Sequence, residues 1–233
     1  MQQSINVPPT NHIKVLDNGQ GWIGLIDHMG SEVSATNAAR VSFGKMKTEF
    51  DKQDEILLKY LIENKHLTPL EHITFTFSVH CPLFVRGQWH RHRTWSYNEI
   101  SRRYTTVDLE FYVPNTFRKQ SESNRQASTD EIIENNAEAF TVYKGVVDKS
   151  FEAYEKLLEL GVCKEQARGV LPQNLMTTFW ATANLRNILH FIELRDDEHA
   201  QKEIREYAQA MKELIKPYVP HAIEYLEGNK YEN

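Results

Sequence analysis

The sequence predicts a single α+β domain running from residue 1 to residue 233, with a mostly antiparallel sheet and several long helices. Three observations lead there. Ile73, Phe75, Phe77 and Val79 alternate with Thr74, Thr76, Ser78 and His80, the period of two of a strand with one buried face. Apolar residues recur at helical spacing through two long stretches, 129–160 and 198–216. No internal repeat, low-complexity tract or linker divides the chain.

In chain order, His12 to Leu16 and Trp22 to Asp27 read as strands of a hairpin turning at Asp17-Asn18-Gly19. Gly19-Gln20-Gly21-Trp22-Ile23-Gly24 is formally a G-x-G-x-x-G. A dinucleotide fingerprint needs a helix opening there, and Met29-Gly30 closes the segment too soon, so the turn reading wins. Ser34 caps a short helix to Phe43 carrying Arg40 and Ser42, and Asp51 to Lys65 is a helix with Ile56, Leu57, Tyr60 and Leu61 inward. After the strand at 73–79, Pro82 opens a helix to Arg93. Thr94 to Tyr104 loses helical period and reads as an ordered, extended segment.

Phe111 to Val113 is a short strand, and Arg118 to Asp130 a polar surface connection. Thr129 caps a long helix to Leu160, stopped by Gly161, with Ile133, Phe140, Val147, Phe151, Tyr154 and Leu158 as its stripe. Cys163 to Val170 carries Arg168, Leu175 to Ala183 is a strand, and Asn184 caps a helix to Leu194 with Arg195 at its end. Glu198 to Lys216 turns Ile204, Tyr207, Met211 and Leu214 inward, and Pro217 and Pro220 leave a short terminal turn.

The net charge of -5 argues against indiscriminate binding to nucleic acid. No apolar run approaches the ~20 residues that span a bilayer, and the polar start lacks a secretory pattern, so a cytoplasmic protein without membrane contact is expected. Two cysteines, Cys81 and Cys163, supply neither a disulfide framework nor zinc-site spacing.

Against that acidic background, Arg86, Arg91, Arg93, Arg102 and Arg103 face a single acid, Glu99, between residues 86 and 104. Guanidinium forks grip phosphate or carboxylate with paired hydrogen bonds, so this island predicts a shaped anion site. The run Arg91-His92-Arg93, then Ser96, Asn98-Glu99, Ser101 and Arg103-Tyr104, resembles at every fixed position the signature of the flavin-dependent thymidylate synthases. Further landmarks follow in that family's order: Ala39 to Phe43, Thr68 to His72, Gln88-Trp89, Ala167-Arg168, Leu171-Pro172, Asn184 to Arg186, Leu194-Arg195, Ala200-Gln201 and Glu203-Ile204. The chain departs from the usual pattern at Gly87, preceded by Arg86, and at His90 and Trp95.

The resemblance implies methylation of 2′-deoxyuridine 5′-phosphate (dUMP) to dTMP. 5,10-Methylenetetrahydrofolate would be the carbon donor, FAD the bound cofactor and NADPH the reductant, in a homotetramer with active sites where subunits meet. By position in the motifs, it puts Arg91, His92, Arg93, Asn98, Glu99, Asn184, Arg186 and His190 at the flavin, with Ser42, Thr68 and Glu71 reaching it from a neighbouring subunit. It assigns Gln88, Arg91, Glu99, Ser101, Arg102, Arg103, Arg168 and Arg195 to dUMP, and to Arg195 the catalytic task. A fixed cation against uracil O2 and N3 stabilises negative charge in the ring and makes C5 more nucleophilic without a covalent bond.

Other chemistries are weighed on the residues. Cys81 before Pro82 suits a small apolar strand residue better than a thiolate nucleophile. Ser101 has no histidine at a spacing that would activate it. No metal site is expected, because His90 and His92 point to different helix faces and flanking arginines repel a cation. The alternative class is an arginine-rich nucleic-acid-binding protein that stacks bases on Trp89, Trp95 and Tyr97. Arg40, Arg118, Arg125 and Arg205 are read as solvated or weakly paired surface charges.

Overall fold

A five-stranded antiparallel sheet in the order β1 (His12–Val15), β2 (Gly21–Met29), β3 (Thr74–Pro82), β7 (Met176–Asn184), β4 (Ser96–Glu99) forms the backbone of the fold. The computed structural model describes residues 4–122, 124 and 127–229. β1 (His12–Val15) and β2 (Gly21–Met29) form the expected hairpin, with Lys14 opposite Trp22. Gly21 lies within β2 beneath Tyr207, where an added Cβ would collide with the phenol oxygen, so this glycine serves close packing and no helix follows. β3 (Thr74–Pro82) and β7 (Met176–Asn184) pair along their whole lengths, Phe75 with Ala183 and Val79 with Phe179. β4 (Ser96–Glu99) adds the edge, Asn98 opposite Trp180.

The alternating residues of β3 are fully buried, as their spacing demands. Over that face lie α3 (Leu83–Trp89), α6 (Leu185–Arg195) and α7 (Lys202–Ile215). Trp89 binds these layers together, its ring 5.5 Å from Phe179, 4.6 Å from Phe191 and 6.0 Å from Tyr207. α7 buries Ile204, Tyr207, Met211 and Leu214, the stripe read from the sequence.

Several boundaries differ from expectation, each for a local reason. α1 (Glu32–Arg40) begins two residues before Ser34, whose hydroxyl accepts from the Ser31 amide at 3.0 Å, and a 3-10 helix (Val41–Phe43) follows. In α2 (Lys52–Glu63), capped by Asp51, the buried residues are Asp54, Leu58 and Leu61, while Ile56 and Tyr60 are exposed. Burial of Asp54 turns the helix, because its carboxylate meets both Arg40 and Lys47. α3 stops at Trp89 with Pro82 as its cap, so Arg91-His92-Arg93 lie beyond the helix.

Phe111 makes only an isolated bridge to Leu175. The polar connection is a hairpin of β5 (Arg118–Gln120) and β6 (Ser128–Ile132), which takes Thr129 out of the long helix. α4 (Asn136–Glu159) therefore starts after Asn135 and buries only Val147 and Tyr154 of its stripe. α5 (Lys164–Ala167) and a 3-10 turn (Arg168–Val170) follow it. The C-terminal segment is a helix, α8 (Pro220–Asn229), because proline is accepted in a first turn and Glu32 receives the Ala222 amide at 2.9 Å.

Candidate active site

After α3 the chain turns, with the His92 amide donating to Trp89 O at 3.0 Å, and returns as β4 beside β7. That return delivers Glu99 and then a tight turn, Ser101 to Tyr104, closed at 3.0 Å. The turn opens on a cavity of about 500 Å³. Four of the expected nucleotide ligands wall it: Glu99, Ser101, Arg102 and Arg168. Gln88, Arg91, Arg103 and Arg195 do not.

Two residues at this cavity stand outside the expected set of nucleotide ligands. Arg86 holds Glu99 through two contacts of 3.1 and 3.0 Å, and Thr177 donates to the same carboxylate at 2.7 Å. The signal for Arg86 was its place one position before the family's usual arginine, from which one helical step still reaches the cavity. For Thr177 there was none, since its partner is distant in sequence. Arg102 is buried, and its terminal nitrogens donate to Val107 O at 2.6 Å and Asp108 O at 3.1 Å. Those bonds tie down the loop after the motif, and desolvation depresses the guanidinium's pKa. Arg103 is exposed and pairs with Glu165 at 3.3 Å, linking the turn to α5.

A second cluster forms where α6 ends beside the turn after α3. Arg195 is half-buried, its Nε donating to His92 Nε2 at 3.1 Å and its Nη2 to Gln88 O at 3.4 Å. Burial pushes the His92 pKa down to about 4, and the charges of Arg195 and His190 add to the effect. The imidazole is thus neutral, and the lone pair that accepts from Arg195 lies on Nε2, leaving the proton on Nδ1. The His190 ring stands 6.0 Å from His92. Asn184 caps α6, accepting from the Asn187 amide at 3.1 Å.

Arg186 pairs with Glu71 at 2.6 Å within one chain, which joins two residues expected to act from different subunits. Thr68 shares the 3-10 helix of Glu71, Thr68–His72, and is exposed, as is Ser42 in Val41–Phe43. Arg91, Arg93, Asn98, Arg186 and His190 are likewise exposed in the single chain. The three guanidiniums among them suit a ligand carrying a pyrophosphate, so the donor set fits a flavin dinucleotide.

The departures at His90 and Trp95 are absorbed by the core. His90 packs on Tyr97 at 4.2 Å, and Trp95 is buried against Trp89 at 6.2 Å. That burial removes Trp89 and Trp95 as platforms for bases. Cys81 is fully buried, and desolvation raises its thiol pKa well above the ordinary value, unlike an activated nucleophile. Two arginines read as surface charges are something else: Arg40 pairs with buried Asp54, and Arg118 with buried Glu203 at 2.8 Å. Arg125 lies outside the described residues. Among the described residues no helix is long and apolar enough to cross a membrane, and no three His, Cys, Asp or Glu cluster as metal ligands.

Residues 24–221 match the family described as thymidylate synthase complementing protein. A flavin-dependent thymidylate synthase of Thermus thermophilus is 44% identical over 210 residues, covering 90% of this chain and 76% of the relative. The enzyme of the same description from Thermosipho melanesiensis is 44% identical over 213 residues, 91% of each chain. Among solved structures, a UMP/dUMP methylase, PolB of Streptomyces cacaoi, bound with 5-Br dUMP, superposes with a TM-score of 0.81 at 30% identity, covering 88% of this chain and 94% of that one.

Proposed function

The chain belongs to the flavin-dependent thymidylate synthase family, and we propose that it converts dUMP to dTMP with 5,10-methylenetetrahydrofolate as carbon donor, FAD as the flavin and NADPH as reductant. Membership makes it a methyltransferase and a flavoprotein. The finer assignments rest on one observation above all: the cavity walled by Arg86, Ser101, Arg102 and Arg168, whose size and charge suit a nucleotide monophosphate. The ligand of the Streptomyces cacaoi relative, 5-Br dUMP, supports that substrate class here.

In this reading Arg103 and Arg168 grip the 5′-phosphate, the Ser101 hydroxyl donates to it, and Arg102 contributes its charge while holding the loop closed. Gln88, Arg91 and Glu99 orient the nucleoside. Arg195 meets uracil O2 and N3, favouring loss of the N3 proton and raising the nucleophilicity of C5. His92, neutral and hydrogen-bonded to Arg195 Nε, fixes the plane in which that cation is offered. FAD, when bound, supplies hydride chemistry. Arg91, His92, Arg93, Asn98, Glu99, Asn184, Arg186 and His190 hold it, with Ser42, Thr68 and Glu71 from a neighbouring copy. The exposure of so many of these side chains in one chain supports a homotetramer whose sites close between subunits. No enzyme thiol takes part.

The test is spectroscopic. The purified protein is expected to be yellow and to bleach anaerobically with NADPH, faster when dUMP is present. Arg195→Ala should retain flavin and lose turnover; unchanged turnover removes Arg195 from the catalytic role.

A further inference from the structure

Gln88, Gln201, Glu203 and Arg118 form a hydrogen-bonded row from α3 to the β5–β6 hairpin. Gln88 Nε2 donates to Gln201 Oε1, and Gln201 Nε2 donates to Glu203 Oε2 at 2.8 Å. Arg118 Nη2 donates to Glu203 Oε1 at 2.8 Å, and Arg118 Nε to Ser128 Oγ at 2.8 Å. Glu203 is only 6% exposed, so water does not replace these partners. At the other end, the main-chain carbonyl of Gln88 accepts from Arg195 Nη2, joining the row to the arginine proposed for catalysis.

The row has one possible polarity. A carboxamide carries a donor at one end and an acceptor at the other, but a carboxylate paired with a guanidinium only accepts. Gln201 must therefore turn its nitrogen to Glu203 and its oxygen to Gln88. Gln88 must answer with its own nitrogen, which leaves Oε1 as the end it offers elsewhere.

We propose that Gln201 and Glu203 are positioning residues that fix which end of the Gln88 carboxamide meets the nucleotide. Gln88 then presents an acceptor and selects a hydrogen-bond donor on its ligand, an imide N–H or a sugar hydroxyl. This rests on the reading of Gln88 as a nucleotide contact. It also gives Arg118 a function, that of holding the Glu203 carboxylate in place.

A charge-swap cycle tests the polarity. In Gln88→Glu, a carboxylate faces Gln201 Oε1, and Gln201 cannot turn because Glu203 also needs its nitrogen. In the double variant Q88E/E203Q, Gln201 turns over. Its nitrogen meets Glu at 88, and its oxygen accepts from the new amide at 203, whose oxygen still meets Arg118. The four proteins are compared by thermal unfolding without ligand and by dUMP titration. Q88E is expected to weaken dUMP binding by about tenfold and to lower the unfolding temperature, and E203Q to recover at least about threefold of the affinity and part of the temperature. Losses that simply add in both measurements overturn the proposal, because a Glu203 that serves only the Arg118 pair is indifferent to residue 88. Should the wild-type protein fail to bind dUMP, the substrate reading falls, while the unfolding cycle still decides the polarity of the row.

Discussion

His92 provides the sharpest quantitative test, through His92→Phe, which keeps the ring's bulk but removes the acceptor for Arg195 Nε. A partly buried guanidinium nitrogen left without a partner costs about 2 kcal/mol. The pH dependence follows from the depressed imidazole. In the unfolded chain His92 protonates near 6.5, whereas in the fold it does so at about 4. As pH falls between those values the unfolded chain takes up the proton and the folded one does not, so stability present above 6.5 is progressively lost. At about 1.4 kcal/mol per tenfold in proton affinity the ceiling is roughly 3.4 kcal/mol, and solvent access reduces it to about 2. Wild type should therefore exceed His92→Phe by about 2 kcal/mol at pH 7.5, a difference of roughly 4–8 °C for a chain of this length, and the two should converge near pH 4. Urea unfolding at intervals between these pH values reads the gap directly. His80 and His90 are also depressed by burial, but both proteins contain them and their effect cancels. A gap that stays constant with pH refutes the neutral, Arg195-bound imidazole.

Arg186→Ala should weaken flavin retention severalfold yet change stability by less than about 0.5 kcal/mol, since its partner Glu71 is an exposed acid; flavin titration and thermal unfolding separate the two effects. Cys81→Ala should keep turnover per bound flavin while losing about 1 kcal/mol of stability, because the residue packs in the core; abolished turnover in a folded, flavin-loaded protein would restore the thiol as a nucleophile. Gly21→Ala should cost about 2 kcal/mol or more, read as a lower denaturant midpoint, because the added methyl meets Tyr207, whose hydroxyl donates to His80 O at 2.6 Å.

Much of the scaffold was legible wherever local pattern and burial coincide. The alternation at Ile73 to Val79 became the fully buried face of β3, the Asn184 cap began α6 where expected, and the stripe of α7 pointed inward. Reading failed where a distant partner decides. Ile56 and Tyr60 have helical apolar spacing, yet α2 turns so that Asp54 is buried against Arg40 and Lys47. Arg118 and Thr129 sit in polar sequence without periodicity, and their hairpin is held partly by Arg118 reaching Glu203. Pro220 reads as a breaker until Glu32, far away in the chain, receives the Ala222 amide in the first turn of α8.

The same division runs through the active site. The order and identity of the motif residues, and with them the family, lie in the linear chain, because fixed spacing of arginine, serine, asparagine and glutamate survives without any knowledge of the fold. Packing alone decided that Arg86 neutralises Glu99, that Arg102 spends two nitrogens on loop carbonyls, and that Arg195 leans on a neutral His92. A side chain's charge is written in its residue type, but its free hydrogen-bonding capacity is what remains after burial has matched it with neighbours that sequence distance does not reveal.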